Sequence, residues 1–283
     1  MRAVGLRMVI EERRARFGRQ MAASAGLGEE SAIAAVFAST PREVFVGPGP
    51  WRIFGEHEDG GQVINDPALL YQDVLVQLKG ESAINNGQPS LHALCLAALR
   101  VRPGETAVHV GAGTGYYTAM LGKLVGSTGC VKAYEIEEDL AARAAENLRE
   151  MPWVRVHAAS GTVGPLPECD VLYVSAGATS PLEMWLNALR IGGRLLFPLT
   201  PDEGAGAMLL VTRLAEGYAA RFICGAKFVG CAGARDGWME RRLAECFRRG
   251  WAGRVRSLVR DDEPDATAWC VGDGWWLSTR EIA

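Results

Sequence analysis

The sequence is short of histidine, of paired cysteine spacings, of long apolar runs and of surplus charge, and each shortage excludes a class of function. No apolar run approaches the roughly 18 residues that a membrane span requires, so no membrane partner is expected. Thirty basic residues stand against 33 acidic ones, which leaves no global electrostatic footprint for nucleic acid. The seven cysteines (Cys95, Cys130, Cys169, Cys224, Cys231, Cys246, Cys270) are odd in number and none lies in C-x-x-C spacing. They argue against a structural zinc site and read as buried thiols of a reducing cytoplasm. His57 and His157 have no evident partner, and no metal-ligand set is visible. Charge arrives early (Arg7, Glu11, Glu12, Arg13, Arg14), unlike a secretory leader.

What is present centres on residues 106–117. An apolar strand, Ala107 to Val110, runs into Gly111-x-Gly113-x-Gly115, and a helical pattern follows (Tyr117, Met120, Leu121, Leu124). Such a turn lets backbone approach a ligand closely, with helix N–H groups aimed at it. Glu135 ends a second strand, Val131–Glu135, twenty residues beyond Gly115, where an acid can accept both hydroxyls of a ribose. A dinucleotide fingerprint needs another glycine after Gly115, but Tyr116 and Tyr117 stand there. S-adenosylmethionine has a ribose and no phosphate, so it fits better than a nicotinamide or flavin. A bare turn in an ordinary α/β sheet is the remaining reading.

The 283 residues suffice for one large α/β domain with an appendage, or for two small domains. Residues 6–24 read as an amphipathic helix, and 29–39 as a second one burying Ile33, Val36 and Phe37. Pro41 to Val46 reads as extended, and the Gly- and Pro-rich 47–70 as a long ordered loop. After a short apolar segment, 74–76, Gly87 and Pro89 signal a turn. A helix from Ser90 is expected to bury Leu91, Leu94, Cys95, Ala98 and Leu99. Further on come a helix over 137–149, strands at 154–158 and 170–175, and a helix at 181–189. Gly192-Gly193 is expected to turn the chain into 194–199, before an antiparallel pair at 208–213 and 218–224. This alternation predicts a parallel sheet covered on both faces, with ligands at the carboxyl ends of its strands. Gly111 to Gly115, Glu135, Ser160-Gly161 and Ser175 all fall at those ends. Residues 235–260 hold eight arginines against Asp236, Glu240 and Glu245. They read as an amphipathic helix with a solvated basic face, or a dock for an acidic partner. Residues 268–277 read as a hairpin turning at 272–274, with Trp269, Trp275 and Trp276 as packing residues.

The chain resembles the protein-L-isoaspartate O-methyltransferase family from about residue 13 to 230. The resemblance rests on Pro41-Arg-Glu-Val-Phe-Val46, Tyr71-Gln-Asp73, Gln88-Pro89 and Val110-Gly-Ala-Gly-Thr-Gly-Tyr116. It continues through Leu124-Val-Gly126 with Gly129, Tyr134-Glu-Ile136, Gly192-Gly-Arg-Leu195 and Leu209-Leu-Val-Thr-Arg213. It implies a Rossmann-like α/β fold, the seven-stranded S-adenosylmethionine-dependent methyltransferase sheet with N-terminal helices. The implied layout is a helical and loop cap at 1–80, the methyltransferase domain at 81–232 and a C-terminal helix and hairpin extension at 233–283. By the same resemblance Gly111, Gly113 and Gly115 contact the methionine part of the cofactor. Glu135 holds the ribose, Ile136 lies against the adenine, Ser160-Gly161 sit near its amine, and Gln88, Pro89 and Ser90 form a lid. Three positions depart from the family pattern. Gly87 stands where Ser or Thr is usual near the methyl-accepting carboxylate, Ser160 where Asp is frequent, and His109 where an acid is common.

A carboxylate acceptor is ionised at neutral pH and needs no general base, whereas a hydroxyl or amine acceptor typically does. No Asp or Glu follows the fourth strand, where Ser175-Ala-Gly-Ala178 stands, which suits O-methylation of a carboxylate. Asn85 and Asn86 are candidates to orient carboxylate oxygens, or else turn residues. His92 is a candidate base, or else a packing histidine. The acceptor is expected to be a peptide, a protein or a small acid. A methyltransferase acting on a metabolite hydroxyl or tRNA base is one alternative, and a non-catalytic cofactor-binding protein another.

Overall fold

The computed structural model describes residues 2–55, 60–80, 82–250 and 252–282, with side chains from residue 9 onward; His57 lies outside them. The chain forms two compact units, one of residues 1–104 with 112–158 and one of residues 105–111 with 159–283.

In the first unit, α1 (Arg2–Ser24) packs on α2 (Ala32–Ser39). Ser31 caps α2 by accepting from the Ala34 amide at 3.2 Å, and Ile33, Val36 and Phe37 are buried as the sequence pattern requires. Gly18 allows the contact, because a Cβ there would lie 2.5 Å from the Ala34 carbonyl oxygen. Residues 42–46 are not extended: Arg42–Val46 is a short helix, α3, begun by Pro41 and ended by Gly47. Nor is 47–70 a plain loop. Strands β1 (Trp51–Phe54), β2 (Gln62–Ile64) and β3 (Leu75–Val76) form an antiparallel sheet in the order β2-β1-β3. Trp51, Ile53, Ile64, Leu70 and Val76 close its core. Strands this short carry too few residues for alternation to show against their glycines and prolines. Helix α4 (Pro89–Leu99) buries His92, Ala93, Cys95, Leu96 and Leu99. Leu91, Leu94 and Ala98, expected inside, are half-buried, so the inward face is rotated towards His92.

The chain leaves as β4 (Thr106–Val110) and returns to the first unit as α5 (Tyr116–Val125), β5 (Cys130–Glu135), α6 (Glu138–Asn147) and β6 (Val154–Ala158). Strands β5 and β6 are parallel.

The second unit takes β4 and continues with β7 (Cys169–Val174), α7 (Glu183–Ala188), β8 (Leu189–Leu199), β9 (Ala207–Leu214) and β10 (Gly217–Gly225). It ends with α8 (Gly237–Arg249), β11 (Ser257–Arg260), β12 (Ala268–Val271) and β13 (Trp275–Ser278). Its strands lie in the order β12-β13-β11-β10-β9-β8-β7-β4. The pairs β4·β7 and β7·β8 are parallel, and the rest antiparallel. Gly192-Gly193 does not turn the chain. The pair sits inside β8, where Leu189 faces Cys169 and Arg194 faces Val171, so the extra residues bulge out and the strand runs on. Seven strands, β4 to β10, correspond to the expected methyltransferase set, and β11 to β13 come from the C-terminal extension. Trp269, Trp275 and Trp276 are buried in that extension. Asp236 caps α8 through the Met239 amide at 2.8 Å; Leu243 faces inward while Arg241, Arg242 and Arg248 are exposed. Among the described residues no helix is long and apolar enough to cross a membrane. None of their His, Cys, Asp and Glu side chains group to hold a metal ion.

Candidate active site

In the first unit the site is built on the end of β5. Glu135 is buried, with Oε2 accepting from the Gly113 amide at 2.6 Å and Oε1 from the Glu137 amide at 3.0 Å. One carboxylate therefore ties the glycine turn to the start of α6. Burial pushes its pKa above the ordinary value, and the backbone donors oppose that rise. Gly115, at φ +91°, forms the N-cap of α5. A Cβ there would meet Leu148 Cδ1 at 2.9 Å, so both backbone conformation and packing demand glycine. Ile136 follows with its side chain 53% exposed, an apolar surface beside the buried acid.

Gln88, Pro89 and Ser90, expected to form a lid, are held by a side chain that local pattern does not reveal. Asp73 Oδ1 accepts from the Ser90 amide at 2.8 Å, and its Oδ2 from Ser90 Oγ at 2.6 Å and Gln88 Nε2 at 3.0 Å. Asp73 thus caps α4 from seventeen residues away, and Pro89 occupies the first turn, where no amide is needed. Asn85 closes a turn on itself: its Oδ1 accepts from the Gly87 amide at 2.8 Å and its Nδ2 donates to the Ala83 carbonyl at 2.9 Å.

Asn86 is buried, and its Oδ1 accepts from Arg42 Nε at 3.1 Å and Nη2 at 2.6 Å. Arg42 is itself fully buried and also donates to the carbonyls of Leu70, Gln72 and Val74. The guanidinium accepts nothing, so it fixes which end of the Asn86 amide is oxygen. Among the described residues the buried Asn86 Nδ2 has no partner.

His92 is buried and stacks on Tyr117, with centroids 3.5 Å apart and rings within 5° of parallel. Tyr117 Oη donates to the Gly87 carbonyl at 3.3 Å. Gly87 has φ +74°, and a Cβ there would lie 2.2 Å from His92 Nε2. The imidazole fills the space that a serine or threonine side chain would need at 87. Gly87→Ala is therefore expected to cost about 2–4 kcal/mol, from left-handed strain plus overpacking, read as a fall in Tm. His92→Ala in the same chain should recover the packing part and leave the strain.

In the second unit, Gly111 at φ +76° lies against Ser175, whose backbone carbonyl atoms would sit 3.4 Å from a Cβ. Ser175 donates its amide to the Val110 carbonyl at 2.8 Å, and its Oγ is 3.0 Å from His109 Nε2. His109 is buried and stacked on Tyr173. Burial pushes its pKa down to about 3, so the imidazole is neutral and takes no part as a charged group. Ser160 Oγ accepts from the Thr162 amide at 3.1 Å. Gly161 abuts Val110, and Trp185 Nε1 donates to its carbonyl at 2.8 Å.

The structure gathers Gly113, Gly115 and Glu135, with Ile136 next in sequence, at one place in the first unit, and Asn86, Gly87 and His92 around Arg42 and Tyr117 at another. Gly111 and Ser175 meet in the second unit. Arg42, Asp73 and Tyr117 were missed as site residues, although Arg42 and Asp73 lie within the motifs that carry the family resemblance.

A strand running into Gly-x-Gly-x-Gly, followed by a strand that ends on a buried acid, fits the class of S-adenosylmethionine-dependent methyltransferases. The model of the Protein-L-isoaspartate(D-aspartate) O-methyltransferase (PCMT) family matches residues 20–234. The chain belongs to this family, whose cofactor is S-adenosylmethionine. A protein-L-isoaspartate O-methyltransferase of Rhodopseudomonas palustris is 33% identical over 227 residues, 78% of this chain and 93% of that protein. A second, from Pelobacter propionicus, is 29% identical over 215 residues, 74% and 85% of the two chains. Among solved structures, a Plasmodium falciparum chain described as a protein-L-isoaspartate O-methyltransferase, in complex with S-adenosyl-L-homocysteine, superposes with a TM-score of 0.62. It is 18% identical and covers 78% of this chain and 98% of its own.

Proposed function

We propose that this methyltransferase acts on polypeptides in the cytoplasm, methylating the free carboxylate of an isoaspartyl residue. The observation that carries the reading is the Asn86 amide: its oxygen is clamped by Arg42, and its Nδ2 is a buried donor with no partner among the described residues. An unmet buried donor costs about 1–3 kcal/mol, and a carboxylate oxygen is the acceptor that would satisfy it. The cofactor supplies an electrophilic methyl group on a sulfonium. The acceptor carboxylate attacks with an oxygen lone pair and no proton moves, so the chain needs to position rather than to deprotonate. That requirement agrees with a neutral His109 and with the absence of an acid after β7.

On the cofactor side, Glu135 is the ribose ligand. The Gly113 amide donates to one of its oxygens and the Glu137 amide to the other, and the carboxylate has further lone-pair capacity for hydroxyl donors. Gly111, Gly113 and Gly115 bring backbone to the methionine part, and Ser175 adjoins Gly111. Ile136 offers its exposed face to the adenine, and Ser160 and Gly161 lie near the adenine amine. Gln88, Pro89 and Ser90, braced by Asp73, form the lid. Asn85 holds the turn before Asn86, and His92 with Tyr117 shapes the space beside Gly87. The chain layout is a cap at 1–80, the catalytic domain at 81–232 and an extension at 233–283.

Methyl transfer from labelled S-adenosylmethionine to an isoaspartyl peptide, against its aspartyl counterpart, tests the reading. Label should enter the isoaspartyl peptide alone, as a base-labile ester. Asn86→Ala should lower kcat/KM for the peptide about 10- to 100-fold, the worth of one hydrogen bond to a charged group, with cofactor affinity nearly unchanged. Cofactor binding without label in either peptide would reject the acceptor, and label in a small acid would redirect it.

A further inference from the structure

Two thiols meet where the end of α8 packs on β12. Cys246 and Cys270 are 2% and 1% exposed and close enough for each thiol to shift the titration of the other. Arg249 Nη2 donates to the Cys246 sulfur at 3.2 Å and to the Trp269 carbonyl at 2.9 Å. Trp269 Nε1 donates to the Gly250 carbonyl at 2.8 Å, and its ring meets that of Phe247 at 5.2 Å. These contacts pin helix end to strand on either side of the two thiols. Cysteines that serve only as packing are inert when buried; burial pushes the pKa values of Cys169 and Cys224 up. Cys246 differs. The Cys270 thiol and the Arg249 guanidinium both donate to its sulfur, which holds its pKa below the ordinary thiol value while that of Cys270 rises.

We propose that Cys246 and Cys270 form a reversible thiol–disulfide site in which Cys246 is the attacking thiolate towards a hydroperoxide and Cys270 the resolving thiol. With hydrogen peroxide, the Cys246 sulfur attacks one peroxide oxygen, the O–O bond breaks, and sulfenic acid forms as hydroxide leaves and takes up the proton that Cys246 released on ionising. The Cys270 sulfur then attacks the Cys246 sulfur. The S–S bond forms, the S–O bond breaks, and the departing hydroxide carries off the Cys270 proton as water. Two thiols are oxidised by two electrons, and one peroxide is reduced to two waters. Low exposure selects a small oxidant reaching the pair through local opening. The bond would join α8 covalently to the hairpin strand and is undone by a dithiol reductant.

The test treats the full chain with hydrogen peroxide, followed by non-reducing digestion and mass spectrometry. The 246–270 crosslink should be the first oxidation product among the seven cysteines and should vanish with dithiothreitol. Cys270→Ser should instead leave a sulfenic acid on Cys246 that dimedone captures. Arg249→Gln, which retains every thiol and so serves if a cysteine variant fails to fold, should slow crosslinking about tenfold by removing the guanidinium from the sulfur. Oxidation of Cys130 or Cys224 before the pair, a crosslink only in denatured protein, or an unchanged rate in Arg249→Gln would overturn the proposal.

Discussion

Glu135→Ala should weaken S-adenosylmethionine binding by at least about 100-fold, since two charge-assisted hydrogen bonds at about 1.5–3 kcal/mol each are lost together and are not fully additive. On the proposed reading the variant loses a ribose ligand, and it also loses a structural tie. The amides of Gly113 and Glu137 now end on this carboxylate, and without it the glycine turn is no longer tied to α6. Glu135→Gln should be nearly as damaging, because a carboxamide has one acceptor atom to face two backbone donors and two hydroxyls. Calorimetric titration with S-adenosylmethionine, and with NAD as control, reads both; NAD should bind neither the parent nor the variants. A preference for NAD would undo the cofactor assignment.

The same residue sets a pH dependence. Burial raises the folded-state pKa of Glu135 above its ordinary value, so the folded protein holds this proton more tightly than the unfolded chain. The associated stability is fully present below the unfolded pKa and is lost as pH rises through the folded one. Cofactor affinity runs the opposite way, because ribose hydroxyls need the ionised acceptor. The thermal stabilisation given by a fixed cofactor concentration should therefore shrink as pH falls from neutral into the carboxylate range.

Arg42→Met should cost about 3–5 kcal/mol of stability, the scale for removing one member of a buried charged network, and lower Tm by about 10 °C for a chain of this size. The guanidinium is fully buried and donates to three carbonyls and to Asn86, with its face 5.9 Å from the Tyr116 ring centroid. Methionine fills the volume and satisfies none of the four acceptors. Arg42→Lys keeps the charge but has three donors and no fork, so it should recover part of the stability. It should not recover peptide methylation, because the Asn86 amide is then free to rotate. Thermal melts and the peptide assay together separate these two roles. Equal recovery of both by lysine would show that the guanidinium acts on stability alone.

The parts of this molecule legible in its sequence are those whose cause is local. The glycine turn and Glu135 are spaced along one strand–helix–strand unit, and the hairpin at 268–278 is announced by its glycines and tryptophans. The family resemblance, read over about 13–230 and matched over 20–234, rests on the same kind of contiguous motif. What escaped depends on partners distant in sequence. Asp73 caps a helix that starts at Pro89. The helical state of Arg42–Val46 goes with a guanidinium that finds its acceptors beyond residue 69. Helix α4 turns His92 inward because Tyr117 offers a flat ring there. Strand β11 has only four residues and takes its register from β10 and β13, so no periodicity could mark it.

The C-terminal extension also decides what the outer margin of the second unit presents to other molecules. Without it, the nine-residue β10 would offer unpaired amides and carbonyls, with Phe222 uncovered, a template for pairing with another chain. Instead β11 pairs with β10 at Tyr218 and Ala219, and Phe247 and Trp269 cover Phe222. The margin passes to β12, which is four residues long and loses register between Ala268 and Cys270. A short, interrupted border is a poor seed for intermolecular sheets. The last fifty residues thus replace a long strand edge with a short, interrupted one.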